Sequence, residues 1–150
     1  MNVKIREAYK GDSRNLIKLI RELAKFEKLK PPATSLIRKM MNDSEGTHSA
    51  IKILVAECDE KLVGYAIYCF TYSSFLAKKT LYLEDIYISE KHRSDGIGKL
   101  FMKRLTSIAK RNRCGRMEWI VLKWNKKAIK FYDKLGAEAM NEWKFYRMTI

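Results

Sequence analysis

Apolar and polar residues alternate from Val3 through Ile5 towards Tyr9, the period-two pattern of a strand with one buried face. Gly11 breaks that pattern, and Asp12 or Ser13 can cap a helix. Leu16, Leu19, Ile20, Leu23 and Phe26 then fall on one stripe at helical spacing. Pro31-Pro32 ends this segment, and Thr34 or Ser35 opens a second helix through Ile37, Met40 and Met41. The polar, Gly46-containing stretch from Asp43 to Ser49 is a loop. Ile51 to Cys58 and Leu62 to Tyr72 are rich in Ile, Val, Tyr and Phe, with Asp59-Glu60-Lys61 between them, which predicts a hairpin. Leu81 to Ser89 predicts another strand, and the polar run Glu90 to Gly98 leads into a helix marked by Ile97, Leu100, Phe101, Leu105, Ile108 and Ala109. Cys114-Gly115 stops it. Met117 to Lys123 predicts a buried strand, Asn125 to Leu135 a short helix ended by Gly136, and Ala137 to Ile150 one or two closing strands. The order β-α-α-β-β-β-α-β-α-β(β) has no internal repeat and no candidate boundary. It predicts a single α/β domain over residues 1–150, one mixed sheet with helices on both faces.

Composition narrows the class. At 150 residues, 47% hydrophobic and 32% charged, the chain can build one sizeable core and is not disordered. No run of apolar residues is long enough to span a membrane, and the charged start lacks an apolar signal core. Cys58, Cys69 and Cys114 are odd in number and form no CxxC, which argues against a disulfide framework or zinc site and fits a reducing cytoplasm. The net charge of +14 attracts polyanions: nucleic acid, an anionic membrane surface or a polyphosphate cofactor. No nucleic-acid-binding signature accompanies it, and the cations are dispersed through the predicted helices rather than gathered in one arm.

The most informative stretch is His92-Arg93-Ser94-Asp95-Gly96-Ile97-Gly98-Lys99, between a strand and a strong helix. Glycines there let backbone amides turn towards an anion at the helix N-terminus, with Arg93 and Lys99 adding charge. A strand–helix turn that needs glycine for geometry alone has the same spacing. It is neither a Walker A loop nor GxGxxG. Upstream lies Leu81-Tyr82-Leu83-Glu84-Asp85-Ile86-Tyr87-Ile88, and downstream Asn125-Lys126-Lys127-Ala128 through Phe131-Tyr132 to Gly136-Ala137. Together these resemble the Arg/Gln-x-x-Gly-x-Gly/Ala loop, its preceding strand and the Asn-x-x-Ala-x-x-Phe-Tyr segment of the GNAT acetyltransferases. Ile20-Arg21-Glu22-Leu23-Ala24-Lys25-Phe26-Glu27, Phe70-Thr71-Tyr72 and the Tyr-Leu-Glu-Asp run bring the likeness closest to the spermidine/spermine and thialysine branch.

The resemblance implies a GNAT fold with a mostly antiparallel sheet. It implies an acetyl group moved directly from acetyl-CoA to the primary amine of a small molecule, without metal or membrane, by a homodimer. Ile86, Tyr87, Ile88, Arg93, Ser94, Asp95, Gly96, Ile97, Gly98, Lys99, Asn125, Lys126, Lys127, Ala128 and Tyr132 would then hold acetyl-CoA. Phe26, Glu27, Glu84, Glu118, Trp119 and Ile120 would meet the acceptor. An alkyl ammonium with pKa near ~10.4 must lose a proton before it attacks, at roughly 4–5 kcal/mol at neutral pH, so a base is required. The resemblance gives that role to Glu84, and the protonation of the leaving thiolate to Tyr132. Asp85, next along the strand, is expected on the opposite face in a solvent, turn or ion-pair role. Ser73 stands where polyamine-acetylating members carry an Asp, and Phe75 where they carry a Trp, which points away from polyamines and towards a diamine or lysine-like amino acid. The alternatives are acetylation of a protein or peptide and a nucleic-acid-binding module on the same scaffold.

Overall fold

The structure, a computed structural model, describes residues 2–150. It divides into two compact units, one running through Trp119 and the other spanning Ile120–Ile150.

The first unit is a five-stranded sheet in sequential order. Its strands are β1 (Val3–Glu7), β2 (Lys52–Cys58), β3 (Lys61–Ser73), β4 (Lys78–Ile88) and the short β5 (Arg116–Glu118). The first four pair antiparallel, and β5 joins β4 in parallel. Helices α1 (Ser13–Phe26) and α2 (Thr34–Asp43) cover one face, with Leu16, Ile20, Ile37 and Met41 packed on Ile53, Val55, Tyr65, Ile67 and Tyr87. The alternate residues Leu54, Ala66, Leu81 and Leu83 are buried with Phe101, Leu105 and Ile108 of α3 (Ile97–Arg111). Both faces of the sheet are therefore apolar, which is why β2 and β3 read as nearly continuous hydrophobic runs.

A charge cluster fixes how the chain enters α1. Arg6 on β1 grips Asp12 at 2.7 and 2.9 Å and Glu57 on β2 at 2.7 Å. Asp12 is 4% exposed, and its Oδ2 accepts the Tyr9 amide at 2.9 Å. The carboxylate thus serves the turn before the helix instead of capping its amides.

Two expected strands differ. The strand predicted over Met117 to Lys123 is confined to Arg116–Glu118, because β4 offers β5 only Thr80, Leu81 and Tyr82 before its ladder is interrupted. No strand forms over 137–150. The second unit contains α4 (Lys126–Lys134), and its apolar Trp143, Phe145, Met148 and Ile150 are exposed. Their alternation gives strand character, but a strand also needs an edge to pair with.

At Gly64 on β3 a Cβ would stand 2.7 Å from the Tyr87 carbonyl of β4 and 3.3 Å from the Phe101 ring of α3. Gly64→Ala is expected to destabilise the fold by on the order of 1–3 kcal/mol through overpacking, seen as a lower urea midpoint at unchanged slope.

Candidate active site

The β3–β4 ladder carries a bulge. Ile67 faces Asp85, but the next pair is Tyr68 with Leu83, so Glu84 is an extra residue with no opposite partner. An inserted residue breaks strict alternation. Leu83 keeps to the α3 side, whereas Asp85 stands opposite Ile67 and Tyr87 opposite Tyr65, all on the face covered by α1. The expectation that Asp85 takes a solvent, turn or ion-pair role is corrected here: its carboxyl is drawn out of solvent on the α1 face, and Glu84 acts on it as a second, like charge. Burial, then Glu84, then Glu27 push the Asp85 carboxyl up to about 6. Burial likewise raises Glu27, the residue that follows α1. Glu84 itself is exposed and acts on Cys69 and Tyr82 as well as Asp85.

Tyr65 lies beside this group of acids. Its side chain is fully buried, and among the described residues its hydroxyl has no hydrogen-bond partner. Burial, and the nearby Asp85 and Glu27, hold its proton on strongly. A buried hydroxyl oxygen beside clustered carboxylates offers an acceptor and counter-charges, the groups an alkyl ammonium requires. The adjoining Tyr87 hydroxyl donates to Glu22 of α1 at 3.3 Å.

The glycine loop is built as the sequence suggests. Ser94 and Gly96 both adopt left-handed backbone, at φ 74° and 80°, and Gly96 caps α3. Space is open around Gly96, and the first amides of α3 lack partners inside the helix, so the turn fits a pyrophosphate. His92 Nδ1 lies 3.9 Å from Asp95 Oδ2, and Lys99 is exposed. The Arg93 side chain turns towards α1 instead. Its guanidinium sits over the rings of Phe26 and Tyr87 at 4.8 and 5.5 Å, and Nε donates to the Ile88 carbonyl at 3.1 Å. Ile86 and Ile88 are half-buried beside Tyr87 on β4.

Other expected residues fall as follows. Glu118 pairs with Arg116 at 2.6 Å, and Trp119 is half-buried at the end of the first unit. In the second unit Ile120 is exposed and Asn125 caps α4, its Oδ1 accepting the Ala128 amide at 3.2 Å. Lys126 and Lys127 open that helix, and Tyr132 lies on it, its phenol pushed up to about 12 by burial. Ser73 is 5% exposed, and its Oγ accepts the Leu76 amide at 3.2 Å, which commits it to the hairpin turn.

A model of the acetyltransferase (GNAT) family matches residues 16–137. The chain belongs to that family. A relative, the thialysine N-epsilon-acetyltransferase of Sus scrofa, is 36% identical over 97% of this chain and 92% of its own length. The human spermidine/spermine N(1)-acetyltransferase-like protein 1 is 32% identical over 97% of this chain and 22% of its own. Among solved structures, an integron cassette protein from the mobile metagenome of V. cholerae superposes with a TM-score of 0.84 at 27% identity, covering 99% of this chain and 93% of that one. The family fold and N-acetyltransferase class are thereby shown for this chain. The glycine loop is the part legible from motif alone, whereas Asp85, Tyr65 and Glu22 escaped sequence reasoning. One signal of them existed: two consecutive acids, Glu84-Asp85, interrupt an otherwise apolar alternation.

The raised Asp85 carboxyl has a stability consequence of definite sign. Folding favours its protonated form, so its contribution is full below the ordinary 3.8 and is lost as pH rises through about 6. That gap corresponds to about 3 kcal/mol. Asp85→Asn should therefore gain about that much stability relative to the parent between pH 4 and pH 8, measured by urea unfolding across the range.

Proposed function

We propose that this chain acetylates the side-chain amine of a lysine-like amino acid or a small diamine, with acetyl-CoA as donor and with Asp85 and Glu84 together accepting the amine proton. The bulge at Glu84, which brings Asp85 to the α1 face beside Glu27 and the Tyr65 hydroxyl, is the observation that carries this reading. Acetyl-CoA supplies the acetyl group as a thioester. The amine binds as a cation against Glu27 and Asp85, loses one proton to the Asp85–Glu84 pair and attacks the acetyl carbon with the freed lone pair. The second proton, shed from nitrogen as the amide forms, replaces the one that Tyr132 gives to sulfur. A carboxyl near 6 is a stronger base than an ordinary aspartate and is still ionised at neutral pH, so it can take that proton. Tyr132 returns a proton to sulfur as the carbon–sulfur bond breaks. Its elevated proton affinity keeps it protonated until a thiolate forms. The turn from Arg93 to Lys99 holds the pyrophosphate through backbone amides, and Asn125, Lys126, Lys127 and Ala128 hold the rest of the coenzyme. The active protein is a homodimer in this reading.

Ser73 supports the acceptor class. A second ammonium group of a polyamine meets no carboxylate at that position, and the serine oxygen is already used by the turn. The name of the thialysine-acetylating relative agrees with an amino-acid acceptor.

Coenzyme A release, followed with a thiol reagent, tests the reading on thialysine, lysine, putrescine and spermidine. Thialysine or lysine is expected to turn over fastest, and a preference for spermidine would overturn the acceptor assignment. In the parent, kcat/KM should climb through pH 6 as Asp85 ionises, and Asp85→Asn should remove that limb. Tyr132→Phe should lower kcat on the order of 10²-fold while acetyl-CoA affinity, read by calorimetry, stays unchanged.

A further inference from the structure

The cations of α1 are not scattered over its surface. Arg14, Lys18, Arg21 and Lys25 recur one helical turn apart, and all four side chains are exposed. At 1.5 Å rise per residue the row extends roughly 16 Å. It lines an open groove of about 710 Å³, which Arg38 of α2 joins from the other side and where Glu22 is the sole acid. Elsewhere in the first unit Arg6, Lys39 and Arg116 are held in ion pairs. Among the described residues, none of Arg14, Lys18, Arg21, Lys25 or Arg38 has an acidic partner within ion-pair distance. Arg21 bonds only the Thr34 hydroxyl, at 2.8 Å. Thr34 is the first residue of α2, whose N-terminus has no side-chain cap and adds its own partial positive charge to the groove. Like charges three and four residues apart destabilise a helix. Glu22, at helical spacing from Lys18 and Lys25, offsets part of the repulsion in this row, and an external anion would relieve the rest.

We propose that the α1–α2 groove is a binding surface for the phosphodiester backbone of nucleic acid, distinct from the acetyl-transfer site except at Glu22, which borders both. At one phosphate per 3.4 Å of strand, a row of this length faces about five phosphates. A single carboxylate or phosphate on a metabolite would engage one or two of the cations and leave the rest unrelieved. No aromatic side chain lines the groove to stack on a base, so recognition is through the backbone and is indifferent to sequence.

Fluorescence anisotropy with a labelled single-stranded oligonucleotide of mixed sequence tests this on the full chain. Five cations predict a log–log salt slope of about −3.5. The triple variant Arg14→Gln, Lys18→Gln, Lys25→Gln should weaken binding more than tenfold at moderate salt and bring the slope to about −1.4. It removes like-charge neighbours, so its melting temperature should not fall. Arg38→Gln, on the other helix, should by itself flatten the slope by about 0.7. A control that removes the same charge from α3, Lys103→Gln, Lys110→Gln, Arg111→Gln, should change affinity less than threefold. Equal losses in both triple variants would show a field of the whole protein rather than a groove and would overturn the proposal. So would the absence of binding, or tighter capture by polyglutamate or anionic phospholipid vesicles than by the oligonucleotide. Acetylation of a free amine should be unchanged in the α1 triple variant, so the two readings fail independently.

Discussion

The insertion of Glu84 into β4 is the constraint on which the rest of the site depends. One extra residue shifts every later side chain of the strand to the other face, so that Asp85 and Tyr87 look towards α1 while Leu81 and Leu83 look towards α3. The same bulge lies just beyond the last residue of β4 that β5 can pair with, Tyr82. A bulge increases local twist, and here it re-aims the carboxylate just past the point where β5 stops pairing. The close approach at Gly64 then holds the far half of β4 against β3 and Phe101.

Helix α1 separates charge by face. Its C-terminal end presents Glu27 towards Tyr65 and Asp85, its outer row is basic, and Glu22 borders both, bonded by Tyr87 yet lining the basic groove. A protein of net charge +14 repels a cationic amine at long range. At physiological salt that repulsion fades over about 8 Å, and the charges acting on Tyr65 are Asp85 and Glu27, with the Arg93 guanidinium over the neighbouring Tyr87 ring. In the two proposed readings the acid cluster and the basic row favour ligands of opposite sign on one element. The Arg6–Asp12–Glu57 cluster ties the start of that helix to β1 and β2, so neither face can rotate freely.

Much of the fold was legible because its signals are local. The stripe from Leu16 to Phe26, the Asp59-Glu60 turn and the Ile97 to Ala109 periodicity each declare one element, and each forms there. The glycine loop was legible because a left-handed cap at Gly96 demands its residue type. What escaped was non-local. Whether 137–150 becomes a strand depends on an available edge, which no composition reports. The face of Asp85 depends on a register shift set between two strands, so counting along β4 alone put it on the wrong side. The basic row was visible as residues, but its unity depended on α2 bringing Arg38 and Thr34 alongside.

The Tyr65 hydroxyl is buried without a partner among the described residues, a loss on the order of 1–3 kcal/mol in the free protein. A molecule that offers the hydroxyl a polar atom recovers that loss, and one of the same shape that offers a methyl group does not. The difference amounts to roughly tenfold to a hundredfold in occupancy for near-identical shapes. In the acetyl-transfer reading proposed above, a phenylalanine at this position would remove that selectivity, and the unpartnered hydroxyl would act as a filter against apolar look-alikes.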